Sequence, residues 1–228
     1  MPSYLEENLD NVIHNIKNSK RKKLSVWDID DTLFSTPSNK MKIVVLDKKT
    51  HQPLKRNGKS VTMNSHEFAD KETRERIIGN DGVLKEPDSY KVFRDSSVFY
   101  KHAIPINENL EHAVKDFNNK QMFFMILTAR GNMNDKNLFN EKFKQYGLNM
   151  NITDGLRTSH IVRTASVTNL PGGLGKKYVI STILQEIPEI NFVSLWDDSQ
   201  DNINQFNTLK NEFRGRRITF DAHHVKKG

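Results

Sequence analysis

Three short apolar runs that break off at chemistry-bearing residues constrain this chain more than any other feature. They are LSVWDID (24–30), QMFFMILTARG (121–131) and INFVSLWDDS (190–199). Each is rich in branched and aromatic residues, and none alternates with polar residues. That is the pattern of a strand covered on both faces, as in a parallel sheet. Stretches with helical apolar spacing lie around them, at 4–18, 107–118, 134–146, 176–187 and 200–211. In the first, Leu5, Leu9, Val12, Ile13 and Ile16 share one face. Strands alternating with helices predict an α/β fold, a doubly wound Rossmann-like parallel sheet flanked by helices. RITF (217–220) offers one more strand.

Residues 31–120 separate the first two runs, several times what a crossover needs. Within them, 41–66 reads as strand, turn and strand, with KKTHQP and RNG as turn signals; a short helix (67–78) and a Gly-Asn-Asp-Gly turn (79–82) follow. The expected organisation is therefore a core of residues 1–38 and 105–228 carrying a small β-containing cap insertion, 39–104.

Composition narrows the class. The 228 residues include no cysteine, which excludes disulfides, thiolate nucleophiles and Cys-ligated zinc. The longest apolar run, Met122 to Leu127, falls far short of the ~20 residues of a membrane span. The N-terminus lacks the apolar stretch of an export signal, so a cytoplasmic protein without membrane association is expected. A net charge of +7 favours phosphorylated or polyanionic partners, although a solubilising surface explains it equally well. Lys20–Lys23 and Arg214–Arg217 are the densest basic clusters, candidates for nucleic-acid backbone contacts or solvated surface.

Open α/β sheets bind ligands at the carboxyl ends of their strands. Here those ends carry Asp28, Asp30 and Thr32, then Thr128 and Arg130, then Asp197, Asp198 and Asp201. Carboxylates gathered this way repel one another, and a hard, oxygen-seeking cation relieves them. Mg²⁺ is the first choice, because it pairs few protein oxygens with waters and a substrate phosphate.

WDIDDT, ILTAR, GKK and SLWDDSQDN, in that order, resemble the four signatures of the haloacid dehalogenase-like (HAD) phosphohydrolases. The resemblance implies Asp28 as nucleophile and Asp30 as acid/base. It implies phosphate binding by Thr128, Ala129 and Arg130 together with Lys176 or Lys177. It also implies a metal held by the Asp28 carboxylate, the Asp30 backbone carbonyl and Asp197, with Asp198 or Asp201 completing or orienting the shell. Of the two lysines, Lys176 is preferred, because Val179, Ile180, Ile183, Leu184 and Ile187 define the apolar face of its helix. Asp201 reads equally well as an acid in the first turn of the next helix, and Arg130 as a surface arginine. His223 and His224 read as a solvated tail.

The insertion resembles the segment that follows the first signature in phage and bacterial HAD proteins related to the phosphatase domain of polynucleotide kinase/phosphatase. No GxxxxGK[ST] loop accompanies it, so no kinase half is expected. The resemblance thus implies a Mg²⁺-dependent phosphatase acting on nucleotide or nucleic-acid terminal phosphates. A small-metabolite phosphatase of the same mechanism and a non-catalytic nucleic-acid- or partner-binding module are the alternatives. Oligomeric state is not readable from these patterns.

Overall fold

The computed structural model describes residues 9–64, 67–68, 70–85, 88–130, 133–150 and 159–225. Among them, the central sheet has five strands: β1 (Lys23–Trp27), β2 (Met122–Thr128), β3 (Ser159–Arg163), β4 (Phe192–Asp197) and β5 (Thr219–His224). All neighbours pair in parallel, in the order β3-β2-β1-β4-β5. Strand order therefore reverses at β1, with β2 on one side of it and β4 on the other. Such a switch opens a crevice at the carboxyl edge.

Side-chain alternation divides the strands between two apolar layers. Leu24, Val26, Phe123, Met125, Leu127, Val193 and Leu195 pack under helices α1 (Leu9–Ser19), α4 (Gly172–Glu186) and α5 (Gln200–Glu212). Trp27, Phe124, Ile126 and Ile161 face the other way, toward α2 (Asn107–Asn118) and α3 (Lys136–Lys144). On that face, Trp27 Nε1 donates to Ser25 Oγ at 2.8 Å and Ser25 Oγ donates to Asp116 Oδ2 on α2 at 2.6 Å, which satisfies the buried indole N–H and the Ser25 hydroxyl.

The insertion opens and closes on a two-stranded stem, in which Phe34 pairs with Pro105 and Ser35 with Ile104. Between them lie short antiparallel pairs: Ile43–Val44 with Thr62–Met63, Leu46–Asp47 with Gly82–Val83, and Lys55–Arg56 with Lys59–Ser60. Asn57 and Gly58 take positive φ at 51° and 74°, as the tight turn of the last hairpin demands. Ile43, Val45, Leu54 and Met63 form a separate small core. Helix Ser96–His102, within the span read as insertion, instead buries Phe99 in the main core against Phe34, Phe139 and Phe143.

Two expectations change. Strand β3 falls in a stretch where the sequence shows no clear run, because an edge strand needs only HIVR to pair with β2. Strand β5 extends through His224, so His223 and His224 belong to the sheet and not to a tail. His223 stacks on Trp196 at 3.7 Å, and His224 Nε2 lies 3.0 Å from the Asp198 carbonyl. Lys226 and Lys227 lie outside the described residues. Among the described residues, no helix is long and apolar enough to cross a membrane.

Part of the basic clustering serves the fold. Arg216 donates to the carbonyls of Leu184, Ile187, Pro188 and Ile190, closing the C-terminal end of α4. Arg21 similarly donates to the carbonyls of Asn119 and Met122. A lysine ammonium cannot reproduce the planar fork that reaches four carbonyls at once. Arg216→Lys is therefore expected to lower unfolding stability by ~1–3 kcal/mol in urea denaturation, whereas Arg214→Lys, on the same exposed turn, is expected to change it little.

Candidate functional site

The chain leaves β1 at Trp27, but the Asp28 N–H still donates to the Trp196 carbonyl at 3.0 Å, so Asp28 stays tied to β4. A tight loop follows. The N–H groups of Leu33 and Phe34 both reach the Ile29 carbonyl at 3.0 Å, and Asp31 takes a positive φ of 57°. Ile29 and Leu33 are fully buried, which pins the loop against the core with Asp28 and Asp30 on either side of Ile29.

At the centre lies the Lys176 ammonium. It donates to Asp28 Oδ1 and to Asp197 Oδ2, each at 2.6 Å, and all three residues are buried. The N-terminal end of α4 carries Lys176 there because glycines let that helix end approach α5 closely. A Cβ at Gly173 would sit 2.9 Å from Asp201 Oδ2 and 3.1 Å from the Asn202 backbone. One helical step on, Lys177 turns away to pair with Glu212 at 2.5 Å. Of the two candidate lysines, only Lys176 enters the cluster.

Asp197 uses its second oxygen as well, since Oδ1 accepts from the Ser199 N–H at 3.0 Å and from Asn202 Nδ2 at 2.8 Å. Asn202 has no counterpart among the expected residues, although its place in the first turn of α5, five residues after Asp197, carries the signal. Asp28, Asp197 and Asp198 each offer an oxygen within 4.8 Å of the others, a hard, all-oxygen set able to hold a metal ion. One expected ligand, Asp201, is not brought into that carboxylate set. It lies in the first turn of α5 against Gly172 and Gly173, where an acid complements the helix dipole. The Asp30 carboxylate, whose expected part in the metal shell is its backbone carbonyl, is held by an arginine.

That arginine is Arg130, which is buried and not a surface residue. Its Nε and Nη2 meet Asp30 Oδ2 and Oδ1 at 2.9 and 2.5 Å, a bidentate pair of fixed orientation. The guanidinium lies over Phe99, 4.7 Å from the ring centroid. Thr128 is buried at the end of β2, where its Oγ1 accepts from the Arg130 N–H at 3.1 Å. Ala129, between them, is exposed at the strand exit. Trp27 pairs with Ile126, so Asp28 and Thr128 leave the sheet at the same edge.

Burial pushes the Asp28 carboxyl up from the ordinary range to about 8, and the charges of Asp197 and Asp30 add to the rise while Lys176 opposes it. The Lys176 pKa is also raised, because Asp28 and Asp197 outweigh its own desolvation. The cluster therefore favours positive charge, supplied by a proton or by a cation.

With its carboxyl raised, Asp28 takes up a proton in the folded protein at a higher pH than in the unfolded chain. Stability contributed by that proton is thus lost as pH rises toward 8. Without divalent cations, Asp28→Asn is expected to melt a few degrees above the wild type at pH 8 and much closer to it at pH 5, since ~1 kcal/mol moves Tm by roughly 2–4 °C in a chain of this size. Thermal melts in chelator across that range provide the check. Compared with known proteins, the chain matches no family model and no curated sequence.

Proposed function

We propose that this chain is a HAD-type, Mg²⁺-dependent phosphomonoesterase that works through an aspartyl-phosphate on nucleotide or nucleic-acid terminal phosphates. The observation that carries the reading is the Lys176 bridge. One ammonium joins Asp28 at the end of β1 to Asp197 at the end of β4, with a second carboxylate, Asp30, two residues further along the chain. A purely structural ion pair has no need of two buried carboxylates on one buried cation with a third carboxylate close by, because each buried charge adds a desolvation cost.

In this mechanism a carboxylate oxygen of Asp28 attacks phosphorus, the ester oxygen leaves, and the phosphoryl group is carried on Asp28. Asp30 donates a proton to the leaving oxygen. It then takes one from the water that hydrolyses the acyl phosphate, returning Asp28 as a carboxylate. Arg130 fixes the Asp30 carboxylate in one orientation. Thr128 Oγ1 and the backbone where Ala129 leaves β2 hold phosphoryl oxygens, while Lys176 balances their charge from behind. Asp28, Asp197 and Asp198 are the side chains suited to hold Mg²⁺, which when bound would neutralise the charge between attacking carboxylate and phosphoryl group.

Phosphate release from an aryl phosphate, nucleoside monophosphates and 3′- or 5′-phosphorylated oligonucleotides tests this reading. Release should require Mg²⁺ and fall about 10³-fold or more in Asp28→Asn. Turnover of oligonucleotides should also drop steeply with salt, through counterion release. Release that persists in Asp28→Asn would overturn the mechanism. Tight oligonucleotide binding with no release from any substrate would instead indicate a binding module.

A further inference from the structure

A cavity of about 230 Å³ lies where the insertion meets the carboxyl edge of the sheet. Its core side is formed by Asp30, Ala129 and Arg130, and its insertion side by Phe68, Tyr90, Phe93 and Arg94. We propose that this cavity is a nucleobase subsite, which seats the base of the nucleotide whose phosphate lies at Asp28. The inference rests on the phosphatase reading above and adds to it the part of the substrate that is recognised.

Three half-buried aromatic rings around one opening are the first support. The small core of the insertion leaves them partly uncovered, and a planar ligand would complete their burial by stacking. Phe68 is already braced, edge-on to Tyr90 with centroids 5.8 Å apart and with the Arg74 guanidinium 5.4 Å from its centroid. Such rings are fixed before any ligand arrives, which lowers the entropic cost of binding.

The second support is polar. Arg130 has a side chain only 2% exposed, yet among the described residues its Nη1 meets no acceptor, while Nε and Nη2 are both occupied by Asp30. A buried donor without an acceptor is costly, and the residue that carries it lines the cavity wall. Arg94 places a second guanidinium on the same cavity. A largely apolar pocket with a few directed donors suits a heteroaromatic base, which has both π-faces and edge acceptors. A plain phenyl ring has no such acceptors.

The position also fits. Asp30 borders the cavity and is the group assigned to protonate the leaving oxygen, so the organic part of the ester emerges beside these rings. Specificity for a base would then be built by the insertion, and the chemistry by the core.

Calorimetric titration of the Asp28→Asn protein in Mg²⁺ with adenosine 3′- and 5′-monophosphate, ribose 5-phosphate and phenyl phosphate tests the subsite apart from turnover. At least one adenosine monophosphate should bind about tenfold or more tightly than either other ligand, within the range that stacking on one base supplies. Adding Phe93→Ala, or the gentler Phe93→Leu that keeps apolar volume, should narrow that difference. Equal binding of adenosine monophosphates and ribose 5-phosphate would overturn the subsite even if wild-type protein released phosphate from both. Equal binding of phenyl phosphate would overturn the assignment to a base. Base-dependent binding without phosphate release would keep the subsite and remove the phosphatase reading.

Discussion

A buried ammonium held between two buried carboxylates is a costly thing to build, and the region around it is organised to meet that cost. Lys176 reaches Asp28 and Asp197 only because β1 and β4 lie side by side at the point where strand order reverses. The two aspartates come from strand ends that the sheet itself aligns, and the Asp28 N–H hydrogen bond to Trp196 extends that alignment past the last paired residue. The lysine comes from a helix that can approach only where glycine replaces a side chain. Desolvation opposes every member of the cluster, so its geometry must be excellent to survive. Asp197 meets that demand by filling both oxygens, one with Lys176 and the other with Ser199 and Asn202.

Arg130 and Asp30 form a second ion pair of a different kind. The arginine is buried over Phe99 while the aspartate is 38% exposed, so one partner is rigid and the other faces the crevice. Phe99 is supplied by the last helix of the inserted segment, which packs into the main core. The arginine that orients Asp30 thus rests on a ring delivered by the insertion. Core and insertion are coupled there by packing as well as by the stem at Phe34–Ser35 and Ile104–Pro105.

Much of this was legible in the sequence, for physical reasons that differ by residue. Buried strands are written as continuous apolar runs, and their ends marked Asp28, Thr128 and Asp197. Helical phase separated Lys176 from Lys177, since one step of about 100° carries a side chain off the face that meets the sheet. Strand β3 was hidden because an edge strand needs few apolar residues. Asp201 was ambiguous because an acid just past a strand end is both a ligand pattern and a helix-start pattern, and only the third dimension separates them. Arg216 looked like surface charge because nothing local reveals four carbonyls waiting across the fold. Phe68, Tyr90 and Phe93 carry no shared motif, and the turns of the insertion are what gather them at one cavity.

The two tryptophans of the chain are Trp27 and Trp196, each immediately before a cluster aspartate. They pair across β1 and β4 and stack with ring centroids 4.4 Å apart and planes 7° from parallel, with His223 against Trp196 on the far side. The molecule therefore carries its own optical gauge. Indoles this close couple their electronic transitions, so near-ultraviolet circular dichroism of the native protein reports the spacing of the two strands that hold Asp28 and Asp197. Any event that spreads or tightens that pair of strand ends is written into the spectrum without an added label.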